Sequence, residues 1–147
     1  MDKFKIYEQM LIETNKKFNL TSIDDPKEIR IKHFEDSLTI KSYINKGMKV
    51  LDIGSGAGFP GIPLRIEKDF DLTLIDSVNK KVNFMNEVIE ELKLEKAKAV
   101  HVRAEDYAKD HREEFDMVIS RAVANLSTLS EYALPFLKVG GIFIAMK

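Results

Sequence analysis

The stretch V-L-D-I-G-S-G-A-G-F-P-G-I-P-L, residues 50–64, decides how this chain is read. Met48, Val50, Leu51 and Ile53 form a short apolar run with β-branched members, the pattern of a buried strand. Gly54, Gly56, Gly58 and Gly61 then follow in close succession, so the backbone turns sharply and can be approached closely. Pro60 and Pro63 stand where a helix begins, since proline is tolerated in a first turn. A strand, a glycine turn and a helix start make a nucleotide-type site, here with Asp52 beside it.

The register of the glycines narrows the ligand. Gly56-x-Gly58-x-x-Gly61 satisfies the dinucleotide fingerprint in form, which keeps a nicotinamide-binding oxidoreductase, or a silent nucleotide-binding module, in view. That fingerprint wants its first glycine at the strand end. The strand ends at Gly54, and counting from there Phe59 stands where the third glycine belongs. What fits from Asp52 onward is D-x-G-x-G-x-G. A carboxylate there suits a ligand with a cationic amino group better than a pyrophosphate. S-adenosylmethionine carries that amino group and a sulfonium besides, so methyl transfer is the favoured chemistry.

Working outward from the glycine turn, residues 60–68 read as a helix and 71–76 (D-L-T-L-I-D) as a second strand ending in Asp76. In nucleotide-binding α/β folds an acid at that strand end accepts hydrogen bonds from the ribose hydroxyls. Residues 79–93 form an amphipathic helix through Val82, Met85, Val88, Ile89 and Leu92. A third strand at 99–102 leads into R-A-E-D at 103–106, whose acidic and backbone groups can face an adenine ring or cap a short helix. A fourth strand at 115–119, a helix at 126–137, a turn at 138–141 and a fifth strand at 142–146 complete the alternation. It predicts a parallel sheet of about five strands with helices on both faces.

On the other side of the turn, residues 2–17 read as an amphipathic helix with Phe4, Tyr7, Met10 and Leu11 on one face. Asn19 to Ser22 break it, and Asp24 or Asp25 ahead of Pro26 starts a second helix reaching about residue 44. His33 and Ser37, four apart, share a face with Phe34 and Leu38 nearby and Asp36 alongside. Packing is the ordinary role of such a histidine; contact with substrate is the other. The expected organisation is an N-terminal helical extension, 1–46, and a cofactor-binding core, 47–147.

Composition bounds the function. At 147 residues and 44% hydrophobic content the chain can bury one core. The absence of cysteine excludes a disulfide framework, a cysteine metal site and a thiol nucleophile, and no metal is expected. No apolar run approaches membrane-spanning length and residues 1–18 are charged throughout, so a cytoplasmic enzyme with no membrane partner is expected. Residues 1–49 carry ten Lys or Arg against eight Asp or Glu, 50–100 seven against nine, and 101–147 six against seven. That balance argues against tight unspecific binding of nucleic acid. Lys16, Lys17, Lys27, Arg30 and Lys32 make a local basic patch or an ordinary solvated surface.

The motifs together carry a resemblance. F-N-L-T (18–21), H-F-E-D-S-L (33–38), D-I-G-S-G-A-G-F-P-G-I-P-L (52–64), D-S-x-x-K-K (76–81), R-A-E (103–105) and S-R-A-V-A (120–124) resemble, in order and over the whole chain, the bacterial small-subunit ribosomal RNA guanine-N7 methyltransferases, the glucose-inhibited division protein B family. The resemblance implies a Rossmann-like class I S-adenosylmethionine-dependent methyltransferase. Its substrate would be N7 of one guanine in small-subunit ribosomal RNA, free or in the ribosomal subunit. It also implies cofactor contacts at Gly54, Phe59, Ala104, Glu105 and Arg121, beside Gly56 of the turn and the ribose ligand Asp76. His33, Asp36 and Arg121 are candidates for the substrate side. The family carries further strands after the fifth. The expectation is therefore a C-terminally shortened chain whose fifth strand, with Ile142, Phe143, Ile144 and Met146 buried on both faces, leaves an open edge that pairs with another copy or weakens the fold.

The chemistry can be weighed separately. C5 methylation of a pyrimidine generally needs a cysteine nucleophile, and there is none. Methylation of an exocyclic amine typically uses D/N-P-P-Y after the fourth strand, where this chain has Ser120-Arg121-Ala122-Val123. Guanine N7 has a free lone pair and no proton to lose, so its methylation needs alignment rather than a general base. Arg121 suits either a cofactor carboxylate or a substrate phosphate. A small-molecule methyltransferase, with the N-terminal helices as a lid, is the alternative.

Overall fold

β1 (Lys49–Ile53) is buried at every position after its first, which requires cover on both faces and a neighbour at each edge. Both neighbours are present. Five parallel strands form one sheet in the order β3-β2-β1-β4-β5, with β2 at Asp71–Asp76, β3 at Ala97–His101, β4 at Phe115–Arg121 and β5 at Leu137–Met146. The structure is a computed structural model and describes residues 2–20, 25–121 and 125–146. Val50 pairs with Leu72 on one side and with Met117 on the other. The strand order reverses at β1, and the crevice beyond the carboxyl ends there is where open α/β sheets take ligands.

Alternate side chains of the strands feed two separate apolar layers, as the period of two requires. Val50, Leu72 and Leu74 join Ile62 and Leu64 of α4 (Gly61–Glu67) and Val82, Met85 and Val88 of α5 (Asn79–Glu91). Leu51, Ile53 and Ile75 pack with Ala108, which follows α6 (Ala104–Tyr107), and with Ala133 of α7 (Leu126–Ala133). Helices thus cover both faces, as the alternation predicts.

The N-terminal segment belongs to the first of these layers. α1 (Lys3–Asn15) starts at Asp2, whose carboxylate accepts from Phe4 N–H at 2.9 Å, and it buries Tyr7 and Leu11 completely. Asp25 caps α2 (Pro26–Glu28) by accepting from Lys27 N–H at 3.2 Å, with Pro26 in the first turn. The second helix differs from the expectation. It widens into a π-helix over Ile29–Glu35, closes as α3 (Asp36–Leu38), and gives way to a single 3-10 turn at Lys41–Tyr43. The Ser37 hydroxyl donates to the His33 carbonyl within the wide turn, and the Thr39 hydroxyl donates to Asp36 O at 2.6 Å where the helix stops.

Two further expectations are corrected. The helix at 126–137 ends at Ala133, and Leu134–Phe136 form a 3-10 turn, because Pro135 lacks the N–H that another α-helical hydrogen bond would need. The fifth strand begins at Leu137, and the expected turn at 138–141 is a bulge inside it. Phe115 pairs with Leu137 but Met117 with Ile142, so the extra β5 residues loop outward and leave Val139 96% exposed. β5 also lies at the sheet edge, and its residues are not buried on both faces: Ile142 is exposed, Phe143 and Ile144 are half-buried, and Met146 is buried. Local apolar content does not report edge position.

Candidate functional site

The glycine turn runs from the end of β1 to α4, and backbone hydrogen bonds fasten it to the end of β2. Gly54 N–H donates to Ile75 O at 2.9 Å. The Asp76 carboxylate completes the seam: Oδ2 accepts from Gly56 N–H and Oδ1 from Val78 N–H, each at 2.9 Å. Asp76 is buried, yet each oxygen keeps lone-pair capacity for a further donor. A Cβ on Gly56 would meet nothing within 4 Å, so bare backbone faces open space there.

That space is a cavity of about 540 Å³ at the carboxyl ends of β1, β2 and β3. Gly54, Gly56, Asp76, Ala104 and Glu105 all line it, so five of the residues singled out in the sequence come together. Ile53, Ile75, Val78, Val102, Leu129 and Tyr132 add apolar wall, with Lys81 and Arg103 at its polar parts. Lys81 and Arg103 stand in the quoted motifs, whereas Val102, Leu129 and Tyr132 were not singled out in the sequence. Leu129 and Tyr132 read only as part of the helix over 126–137, and the crossover geometry brings them to the opening.

Phe59 and Arg121 do not line that cavity. They meet His33 and Asp36 in a second group, between the glycine turn and the N-terminal helices. Phe59 is buried and stacks on His33 at 4.2 Å between centroids, 7° between planes, and on Tyr7 at 5.6 Å. The Tyr7 hydroxyl donates to Ala57 O at 2.6 Å, which pins α1 to the turn. Gly58 makes this approach feasible: its φ is +105°, and a Cβ there would fall 2.6 Å from both Tyr7 Oη and Ile62 Cδ1. Gly61 is constrained in the same way, since its N–H donates to Asp52 Oδ2 at 2.8 Å and a Cβ would collide with that oxygen.

Asp52 is turned towards the start of α4 and does not face the cavity. It is fully buried, and its Oδ1 has no hydrogen-bond partner among the described residues. Burial drives its carboxyl well above the usual carboxylate range, against the hydrogen bond from Gly61 and the charge of Arg121. Burial likewise raises the Tyr7 phenol. His33 is pulled down to about 4 by burial, with the Arg121 guanidinium acting in the same sense, so the imidazole is neutral near pH 7.

Arg121 ends β4. The pairing of Asp52 with Ile119, and the Ser120 hydroxyl donating to Ile53 O at 2.9 Å, bring it to the carboxyl end of β1. Its guanidinium carbon lies 5.7 Å from the Phe59 ring centroid. Nη2 lies 3.3 Å from Asp36 Oδ2, 3.2 Å from Ser37 Oγ, and 3.4 and 3.5 Å from the carbonyls of His33 and Lys32. Thr21 and the residues 122–124, which complete two of the quoted motifs, lie outside the described residues. Within the basic patch, Arg30 is paired with Glu8 at 3.3 Å and Lys32 with Glu28 at 3.7 Å, which leaves Lys16, Lys17 and Lys27 as its remaining members. Among the described residues, no helix is long and apolar enough to cross a membrane, and no three acidic or histidine side chains converge on a metal position.

Known proteins are similar to the chain in sequence and in fold. The GidB family model, described as rRNA small subunit methyltransferase G, matches residues 1–147. The chain is 53% identical over 150 residues to the Ribosomal RNA small subunit methyltransferase G of Desulfitobacterium hafniense, covering 100% of this chain and 62% of that protein. It is 54% identical over 149 residues to the protein of the same name from Desulforamulus reducens, covering 98% and 62%. The chain therefore spans about 62% of the length of these curated relatives. Among solved structures, it is similar in fold to an S-adenosylmethionine-dependent methyltransferase of Geobacter sulfurreducens in complex with S-adenosyl-L-homocysteine, with TM-score 0.62, 23% identity, and 75% of this chain and 47% of that one covered. The corresponding values for a Thiobacillus denitrificans methyltransferase with the same ligand are 0.65, 20%, 84% and 56%.

Proposed function

The chain belongs to the GidB family of rRNA small subunit methyltransferases, and from that premise we propose that it binds S-adenosylmethionine and serves methylation of a guanine N7 in small-subunit ribosomal RNA, in the cytoplasm. The observation that carries the reading is the cavity walled by Gly54, Gly56 and Asp76, all within the matched family segment. Its residues fit the cofactor. Asp76 has acceptor capacity for the ribose hydroxyls, and Gly56 offers bare backbone. Val78, Val102 and the Ala104–Glu105 pair supply an apolar wall and polar edge suited to adenine. Arg121 stands outside the cavity lining, at the end of β4 beside β1, and would be the cation for the methionine carboxylate, with its guanidinium carbon 5.7 Å from the Phe59 ring centroid.

When bound, S-adenosylmethionine supplies a sulfonium methyl that a guanine N7 lone pair can accept in line, with no proton removed. The chain's own task is then alignment. The neutral His33 ring, fixed against Phe59, and Asp36 border the substrate side of Arg121. Lys16, Lys17 and Lys27 are the basic side chains for RNA phosphates, through a salt-dependent contact. Membership in a methyltransferase family leaves the nicotinamide alternative without support. The test is transfer of a labelled methyl group from S-adenosylmethionine to small ribosomal subunits isolated without the modification, followed by identification of the labelled base. The expected product is 7-methylguanosine. Label on an exocyclic amine, or on free nucleosides in preference to subunits, would overturn the proposal.

A further inference from the structure

We infer that Asp36 is a positioning residue for the cofactor's carboxylate, acting through Arg121. The inference rests on the reading that S-adenosylmethionine occupies this site. Arginine is long and rotamer-rich, so a guanidinium that reads a carboxylate must be held in one pose before the ligand arrives. Here the pose is fixed from one side. Among the described residues, the polar contacts of Arg121, to Asp36, Ser37, His33 and Lys32, all fall on Nη2, and its guanidinium carbon stands over the Phe59 ring, 5.7 Å from the centroid. Nε is buried and has no hydrogen-bond partner among the described residues. That atom is closed to a ligand, whereas Nη1 makes no hydrogen bond among the described residues and is the donor left for an anionic one.

The N-terminal helices supply the clamp because the chain departs from regular α-helix where the carbonyls of Lys32 and His33 face Arg121. Asp36 contributes the charge. Its side chain is 44% exposed, so packing does not account for it, and a half-exposed ion pair adds little to stability. Its removal leaves the fold intact and frees the guanidinium to sample other rotamers.

The experiment compares two ligands across variants. S-adenosylhomocysteine carries the carboxylate; 5′-methylthioadenosine has the same adenosine and thioether without it. Calorimetry on the wild-type chain is expected to show tighter binding of S-adenosylhomocysteine. In Asp36→Ala that affinity should fall about five- to tenfold, the scale of one charge-assisted hydrogen bond. Methylthioadenosine should stay within about twofold, and Asp36→Glu should recover most of the loss. Equal losses for both ligands would mark a structural role and overturn the inference. Unchanged or tighter S-adenosylhomocysteine binding in Asp36→Ala would overturn it too, as would a wild type that binds both ligands equally, though the cofactor reading would then stand. A wild type that binds neither ligand would remove the cofactor reading and this inference with it.

Discussion

Asp76→Ala takes the acceptor away from two backbone donors at once, Gly56 N–H and Val78 N–H, each 2.9 Å from its own carboxylate oxygen. A hydrogen bond to a charged group is worth about 1.5–3 kcal/mol when its partner is left stranded. The adjacent cavity admits water to both donors, so the loss for the pair belongs near the single-bond value, about 1.5–3 kcal/mol. In a chain of this size that lowers the melting temperature by roughly 3–12 °C. The ligand side is separate: a ribose hydroxyl held by the carboxylate adds about 1–3 kcal/mol, or roughly 5- to 150-fold in affinity. Asp76→Asn divides the two effects, since the amide keeps one acceptor oxygen for the turn and loses the charge offered to the ribose. Thermal melts and calorimetry with methylthioadenosine and its 2′-deoxy counterpart read both. The wild type should discriminate between these ligands, Asp76→Asn should discriminate less at a small cost in melting temperature, and Asp76→Ala should lose both. A folded Asp76→Ala chain with full discrimination would refute the ribose assignment, and one with an unchanged melting temperature would refute the stitching of the turn.

Gly58→Ala should cost about 2–4 kcal/mol in urea unfolding, because its φ of +105° is unfavourable for any L side chain and its Cβ would strike Tyr7 Oη and Ile62 Cδ1; an unchanged midpoint would show that α1 does not press on the turn as described. His33 titrates at about 4 against an ordinary 6.5, so the unfolded chain takes up that proton first as pH falls. Its contribution to stability is thus present above pH 6.5 and is lost as the pH falls towards 4. His33→Phe, which keeps the stack on Phe59, should flatten the melting temperature between pH 6.5 and 4, and a slope as steep as the wild type's would refute the assignment.

The legible parts of this protein are those written in local spacing. The apolar run into Gly54 and the acid at the end of 71–76 announce strand, turn and a carboxylate at the next strand end, and the structure brings them to one cavity. Phe59 was legible as a residue of the turn but not as the floor of an aromatic stack, because its partners His33 and Tyr7 come from distant segments. The π-helix at Ile29–Glu35 has no local signature, since its hydrogen-bond pattern answers to what it packs against. Leu129 and Tyr132 were missed for a topological reason: their helix reaches the cavity only once β4 lies beside β1. The reading of β5 placed it at an edge but not its exposure: Ile142, Phe143 and Ile144 look buried on both faces in sequence and are exposed or half-buried in the structure.

β1, in the middle of the five strands, also comes before the other four in chain order, and this sets a schedule for the nascent chain. Val50 meets Leu72 early, but its second partner, Met117, follows Leu72 by 45 residues. At about 5–20 residues per second, translation leaves that edge of β1 unmatched for roughly 2–9 s. During the interval a row of amides and carbonyls in the middle of the future sheet stays open to any extended segment. The glycine turn is only half supported as well, because the Ser120 hydroxyl that grips Ile53 O has not yet been made. Emergence of residues 72–117 is the window in which a ribosome-bound chain of this topology is most exposed to mispairing, and in which a chaperone or a translational pause would act on its yield.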